Sequence, residues 1–501
     1  MAPHTHIARN SLVLYLRMFL ILIINLYTSR LILKYLGVVD YGVYNVIGGV
    51  VGLFTLLSNS LSNAISRFLT LSLGKNDIES LKKIFCTSVN IQIVLALCIC
   101  LLIETLGGWF LNHKLNIPSL RLYAANWILH LSLLTFSVGL ISVPYNALII
   151  AHEKMSAFAY IGVLEVFLKL CAAASLAFIS YDKLISWTVS LAIISIIIRF
   201  IYSRYCSKKF VECKYYFLFD KKLLQQMGGF AGWSFIGESA GVLKNEGINV
   251  LLNLFFGPIV NAANGIAMQV NAMVAQFSSS FLTAVNPQIT KRYASEELLK
   301  VYQFVKDSTR LSFYLIFIAI VPILYSTKFL LGLWLHTVPD YSVVFVRLVL
   351  ISAIIESICY PMITLQRATG VMRNYQIVTG SVHLLNFPIA WIFLRLEFPP
   401  EVVFYIAIVL GIINIWVRLI MLRKILPISI SDFFREVIGR GLSVAIFVSL
   451  PLFYFSYWFP LNDIWKLIIS FFTPIVIIYI VGITRSEKEM FFIYISSRLR
   501  K

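Results

Sequence analysis

Residues 36–45 read LGVVDYGVYN, and 220 positions later residues 256–265 read FGPIVNAANG. This alignment sets Gly37 on Gly257, and the same offset pairs Ser58 with Ser278, Ser60 with Ser280, Ala64 with Ala284 and Thr70 with Thr290. A neighbouring offset of 217 lays PYNALIIAHEKMSAF (144–158) on PMITLQRATGVMRNY (361–375), matching Pro144 to Pro361, Ala151 to Ala368 and Met155 to Met372. Each identity taken alone could be a chance match between apolar segments. Their near-common offset points to two homologous halves.

The surroundings of both stretches are apolar. The chain has 501 residues, 59% of them hydrophobic and 13% charged, against roughly 25% charged in an ordinary soluble domain. Mean hydropathy is +0.85. A water-soluble core cannot hide that much apolar surface, which excludes a soluble globular enzyme and a disordered chain. A ruler of about 20 apolar residues per span finds fourteen candidate transmembrane helices, the first at 12–33, the second at 43–66 and the seventh at 228–255. The expected fold is therefore all-α and integral to the membrane, with an N-terminal lobe over 1–206, a cytoplasmic linker over 207–227, a C-terminal lobe over 228–423, and two further helices with a tail over 424–501. The paired segments lie six spans apart, an even number. The lobes are thus parallel repeats, an arrangement that usually places the substrate between them. The first span is too long for a signal h-region and is expected to stay attached.

The 42 Lys and Arg against 23 Asp and Glu give a net charge of +19. Most of the positive residues fall between alternate spans, so the positive-inside rule places both termini in the cytoplasm. That reading, with attraction to anionic headgroups, accounts for the excess without nucleic acid as a partner. The seven cysteines show no C-x-x-C and no histidine cluster, so neither a disulfide framework nor a metal site is expected.

Ionisable side chains at membrane depth cost about 2.5–3.5 kcal/mol each on insertion scales, so they mark cavities or paired sites. On the seventh span, at about 100° per residue from Glu238, residues Asn245, Glu246, Asn249 and Asn253 share one stripe roughly 100° wide. Such a stripe either lines a cavity or forms an interhelical hydrogen-bond seam. Asn25 joins these asparagines as a candidate polar lining residue, which the resemblance given below would assign to sugar hydroxyls. Arg17, Arg30, Lys169, Lys244 and Arg67 are candidates for a cationic cavity that holds a diphosphate, since the arginine fork matches phosphate oxygens; snorkelling to the headgroups is the alternative for those near helix ends. Glu165 precedes Lys169 by four residues, the favourable order for a helical ion pair. With Glu238, Glu246 and Glu356, Glu165 is a candidate for coupling to H+ or Na+; a structural role is open for each. His130 and His383 are isolated and read as structural. The sequence contains no P-loop, H-E-x-x-H or G-x-S-x-G motif, and the expectation is a transporter without a cofactor, not an enzyme.

The stretch Arg9–Asp77 resembles bacterial polysaccharide-biosynthesis flippases of the Wzx type, within the multidrug, oligosaccharidyl-lipid and polysaccharide (MOP) exporter superfamily. The residues that carry the resemblance are YTSR (27–30), Leu36–Gly37, DYGVYN (40–45), Gly48–Gly49, SRFL (66–69) and Gly74–Asp77. The resemblance implies a flippase in the bacterial cytoplasmic (inner) membrane that moves an undecaprenyl-diphosphate-linked oligosaccharide outward by alternating access. Its product would feed O antigen, capsule or another surface polymer, with membrane lipids and a polysaccharide polymerase and ligase as partners. The cavity residues above rest on depth and charge, not on the resemblance. A multidrug antiporter of the same superfamily and a lipid II flippase are the competing transporters. A membrane-bound glycan polymerase fits less well, because no outer loop is large enough to carry a catalytic domain.

Overall fold

The computed structural model describes residues 3–74, 77–152, 154–218, 241–294, 298–369, 373–424, 429–458 and 462–483, with scattered positions between 220 and 239; side chains are described from Leu20 onward with isolated exceptions. Among the described residues every regular element is a helix. Lipid offers no partner to a backbone N–H or C=O, so a spanning segment must satisfy those groups within itself.

The principal helices are α1 (Pro3–Gly52), α2 (Thr55–Gly74), α3 (Ile78–Leu102), α4 (Leu122–Ala151), α5 (Met155–Ser175), α6 (Lys183–Lys209), α7 (Ile248–Phe256), α8 (Pro258–Ala294), α9 (Leu298–Tyr325), α10 (Ser342–Ala368), α11 (Arg373–Leu384), α12 (Asn386–Arg395), α13 (Val402–Arg423), α14 (Arg440–Trp458) and α15 (Asp463–Ile477). Eleven stretches among the described residues are long and apolar enough to cross a membrane. The other expected spans are accounted for by α1, which runs two of them together across a kink, by α7, whose approach lies partly outside the described residues, and by the asparagine-rich α8.

Two compact units form: Met1–Gly265 with Trp334–Asp340 and Phe387–Pro400, and Ile266–Leu333 with Tyr341–Asn386 and Glu401–Lys501. In the first, Phe85, Tyr145, Leu148, Ile198 and Cys206 belong to one buried core. Helix α3 starts on Asp77, which accepts bonds from the Ser80 amide at 2.9 Å and the Ser80 hydroxyl at 2.6 Å. These bonds hold the Asp77 carboxyl below the usual carboxylate range, so the charged cap is present at neutral pH and is lost only as pH falls through that lowered value. In the second unit, Phe313, Phe317, Met362, Leu419 and Val448 share a core. The last two helices dock on α9 through directed bonds as well as apolar contact: Tyr325 donates to the Leu452 carbonyl, and Tyr314 donates to the Gly482 carbonyl at 3.0 Å. Buried Lys306 pairs with Asp432 at 2.6 Å and Glu436 at 2.8 Å, just before α14.

The two glycines aligned by the repeat have the same backbone conformation. Gly37 has φ +80 and ψ 172, and Gly257 has φ +80 and ψ −172. They are the positive-φ glycines among the described residues. An L side chain is strained there, so glycine lets the chain turn sharply between helical segments. Pro144 and Pro361, paired by the second alignment, both lie inside long helices, α4 and α10. Beyond the first elbow, Gly42 meets the start of α8 so closely that a Cβ would lie 1.8 Å from the Pro258 carbonyl oxygen. Gly42→Ala should therefore fail to accumulate or should melt far below the parent, because backbone and not a movable side chain must retreat. Gly48→Ala, where nothing lies within 4 Å, should match the parent or gain up to about 1 kcal/mol. Thermal unfolding of both variants in detergent checks this; equal melting points would sink the close-packing account.

Candidate substrate-handling site

The motif residues around the first elbow have defined jobs. Asp40 receives Arg121 through both carboxylate oxygens, and Arg121 also reaches Asp182 at 2.8 Å. Asp182 is itself the N-cap of α6, accepting from Leu184 N at 3.0 Å and Ile185 N at 3.2 Å. One guanidinium thus ties α1 and the starts of α4 and α6 together. Its planar fork takes both oxygens of Asp40 in parallel and keeps a donor for Asp182, a bidentate geometry that lysine lacks. Upstream, the buried Thr28 and Ser29 return their hydroxyls to the carbonyls of Ile24 and Leu26 at 2.7 and 2.9 Å. Leu26 O also accepts the Trp334 indole at 2.8 Å.

A buried lattice of carboxamides joins the two elbows. Asn249 Nδ2 donates to the Asn45 carbonyl at 3.0 Å, while Asn45 Nδ2 donates to the Tyr41 carbonyl at 2.8 Å. Asn261 Nδ2 donates to the Asn249 carbonyl and Oδ1 at 2.6 and 2.8 Å, and Asn264 Nδ2 adds a bond to Asn249 Oδ1 at 3.0 Å. Asn253 donates to Asn261 Oδ1 at 2.9 Å and to the Asn116 carbonyl at 3.4 Å, and its own Oδ1 accepts from Asn116 N at 2.9 Å. Asn249, Asn253, Asn261 and Asn264 are all buried.

The expected stripe does not run straight. Residues Leu243–Gly247 form a π-helical turn before α7. A π-turn takes more residues per revolution, so a projection at about 100° per residue loses register there. Asn245 is exposed while Asn249, four residues on, is buried. Glu246 is half-buried against α1, where an added Cβ on Gly49 would lie 3.0 Å from Glu246 Oε2 and 2.7 Å from Asn249 Nδ2. A Cβ on Gly52 would come within 3.2 Å of the same carboxyl group. Among the described residues no hydrogen-bond or ionic partner meets the Glu246 carboxyl.

The remaining candidates are dispersed. Arg30 is exposed on α1, on one stripe with Leu20, Ile23, Tyr27 and Lys34, and Asn25 is exposed off that stripe. Lys169 pairs with Glu165 at 2.6 Å, both about one-third exposed. Lys244 is half-buried and has an interaction of its own. Glu356 is half-buried on α10 in the second unit. Glu238 lies outside the described residues, as do the side chains of Arg17 and Arg67. The two isolated histidines both have partners: His130 meets Glu104 at 2.8 Å, and His383 meets Asn414 at 2.6 Å.

The sequence reading missed the Arg121 hub and the contributions of Asn116, Asn261 and Asn264. Asp40 and Asn45 stood in the quoted motif, but nothing local links them to positions 81 and 204 residues away.

No family model matches the sequence, and no curated protein matches it. Solved structures do share its fold. The lipid II flippase MurJ in an inward closed conformation has a TM-score of 0.70 at 15% identity, covering 93% of this chain and 97% of that one. The MATE multidrug transporter DinF-BH has a TM-score of 0.63 at 14% identity, covering 84% and 96%. An inward-facing multidrug resistance MATE family transporter of the MOP superfamily has a TM-score of 0.59 at 12% identity, covering 80% and 97%. At these identities the likeness is one of fold: an all-α, multi-pass membrane architecture of the MOP type.

The lattice makes a separable prediction. Asn261→Leu should cost about 2 kcal/mol, since it removes three hydrogen bonds from the buried lattice, two to Asn249 and one from Asn253. Asn245→Ala, at an exposed position, should leave stability within about 0.5 kcal/mol. Unfolding of both in the same detergent tests it, and a tolerated Asn261→Leu would mean that the lattice carries no structural weight.

Proposed function

We propose that this chain is a flippase that moves undecaprenyl-diphosphate-linked oligosaccharide repeat units across the bacterial cytoplasmic membrane by alternating access, for surface polysaccharide synthesis. The observation that carries this reading is the pair of exposed cations Arg30 and Lys34 at the end of an otherwise apolar stripe on α1, on a MOP-type fold. Lipid alone gives little reason to keep such charges there, whereas a diphosphate leaving water needs them. The likeness to a protein named as a lipid II flippase supports a lipid-linked substrate. In this reading Arg30, Lys244 and Lys169, with Arg17 and Arg67, handle the diphosphate, and Asn25 and Asn245 meet sugar hydroxyls. The buried Asn249 and Asn253 hold the frame beneath them. Glu246, beside which no cation is fixed among the described residues, is the first choice for taking up H+ or Na+; Glu238, Glu356 and Glu165 follow.

The likeness to MATE multidrug transporters keeps a drug antiporter as the second reading. Deletion of the gene in its host separates the two. Accumulation of polyprenyl-diphosphate-linked oligosaccharide with loss of surface glycan is expected; unchanged glycan with increased drug sensitivity would overturn the flippase. In the complemented strain, Arg30→Ala should lower export about tenfold at normal protein abundance, with partial rescue by Arg30→Lys. Glu246→Gln should flatten the dependence of export on pH or sodium; an unchanged dependence would remove Glu246 from coupling.

A further inference from the structure

The segment that follows α6 sorts its charges by face. After Lys209 ends the helix, the chain runs as a short 3-10 turn, Val211–Cys213, and then extends to Leu218. Its inward side is pinned at several points. Glu212 is buried and meets His152 at 2.5 Å, at the end of α4, and the His152 ring stacks on Phe210 at 4.2 Å. The Lys214 carbonyl accepts the Cys86 thiol at 3.8 Å, the Leu218 carbonyl accepts Asn90 Nδ2 at 2.7 Å, and Tyr215 donates to Asn90 Oδ1 at 2.6 Å. Asp220, half-buried, accepts from Leu223 N at 3.0 Å. Both acids of the segment are thus turned to internal partners.

Everything basic faces out. Arg204, Lys208, Lys209, Lys214 and Lys221 are exposed, and among the described residues none of them is ion-paired. Between them Val211, Tyr216 and Phe217 are also exposed, Phe217 at 80%. Free ammonium groups beside outward aromatic rings are the chemistry of the membrane–water interface, where rings sit among headgroups and lysines meet their phosphates. The location agrees. The stretch Ile78–His113 has 36 residues, about 54 Å of helix against a hydrocarbon core of about 30 Å, so one end must stand clear of the core. Its first turns carry Glu79, Lys82 and Lys83, and Cys86 and Asn90 hold the segment against that same end.

We propose that residues 204–218, with Lys221, form a strap that binds the headgroups of anionic phospholipids, on the membrane face to which α6 delivers the chain. The strap is held in place from within, so its lysines meet phosphates at fixed positions without the ordering cost of a mobile loop. Each lysine near an anionic surface adds to the attraction, and the apolar rings fix the depth. The strap is independent of what the protein transports; a chain that exports drugs would retain it.

The test uses the full-length protein in detergent, titrated separately with phosphatidylglycerol and phosphatidylcholine, with bound lipid counted by native mass spectrometry. The parent should prefer phosphatidylglycerol, and the preference should shrink as sodium chloride rises. The triple variant Lys208→Gln, Lys209→Gln, Lys214→Gln should bind phosphatidylglycerol about tenfold more weakly at an unchanged melting temperature. Phe217→Ser should weaken retention of both lipids alike. Should the triple variant fold poorly, Lys214→Gln alone should reduce the preference by about half as much on a logarithmic scale or less. Equal phosphatidylglycerol binding by the parent and the lysine variants, or a preference that salt does not touch, would overturn the strap.

Discussion

Asn249 is bonded from four directions inside a structure whose outer solvent is lipid, and the first unit is organised around that fact. Where the chain turns at Gly257, helix α7 ends and α8 begins at once with Pro258, leaving carbonyls and amides that no helix can satisfy alone. Buried among side chains rather than hydrated, such groups must find their partners in the protein. Carboxamides serve because each supplies a donor and an acceptor without a charge to bury. The lattice of Asn45, Asn116, Asn249, Asn253, Asn261 and Asn264 therefore closes the elbows in the way a ladder closes a sheet.

Once the elbows are fixed, the charges divide into two kinds. Arg121 is committed to Asp40 and Asp182, Lys306 to Asp432 and Glu436, and His152 to Glu212, each joining segments distant in sequence. Arg418 is buried against the Tyr375 hydroxyl and ring. A partly buried pair holds parts in place more than it stabilises, because removing either partner strands the other. Arg30 and Lys34 on α1 are exposed, and the Glu246 carboxyl packs against Gly49 and Gly52 of α1. The exposed positions of Arg30 and Lys34 give the flippase reading its physical content.

The DYGVYN part of the resemblance, with Gly49, turns out to be mainly architectural. In DYGVYN, Asp40 takes the Arg121 fork, Gly42 admits the Pro258 backbone, and Asn45 supplies a carbonyl to Asn249. Gly49 of the glycine pair leaves room for Asn249 and Glu246. Such residues are constrained by close approach of backbones, where one methyl group is already too much. They mark a fold.

Hydropathy and period were enough to read an all-helical membrane chain, because each span must meet lipid and satisfy its own backbone within some twenty residues. The internal repeat was legible for a similar reason: a positive φ admits glycine, and Gly37 and Gly257 keep that mark 220 residues apart. The ion pair of Glu165 with Lys169 was legible from a spacing of four. What spacing could not reach was any contact made across the chain. Asn245 is exposed and Asn249, four residues on, is buried, and no local pattern announces the difference. Arg121 could have snorkelled, and Asn261 could have faced lipid or a cavity. Only packing decided that one is a hub and the other a buried strut, because a polar side chain in a membrane takes its role from the partner that replaces water, and that partner is chosen by the tertiary fold.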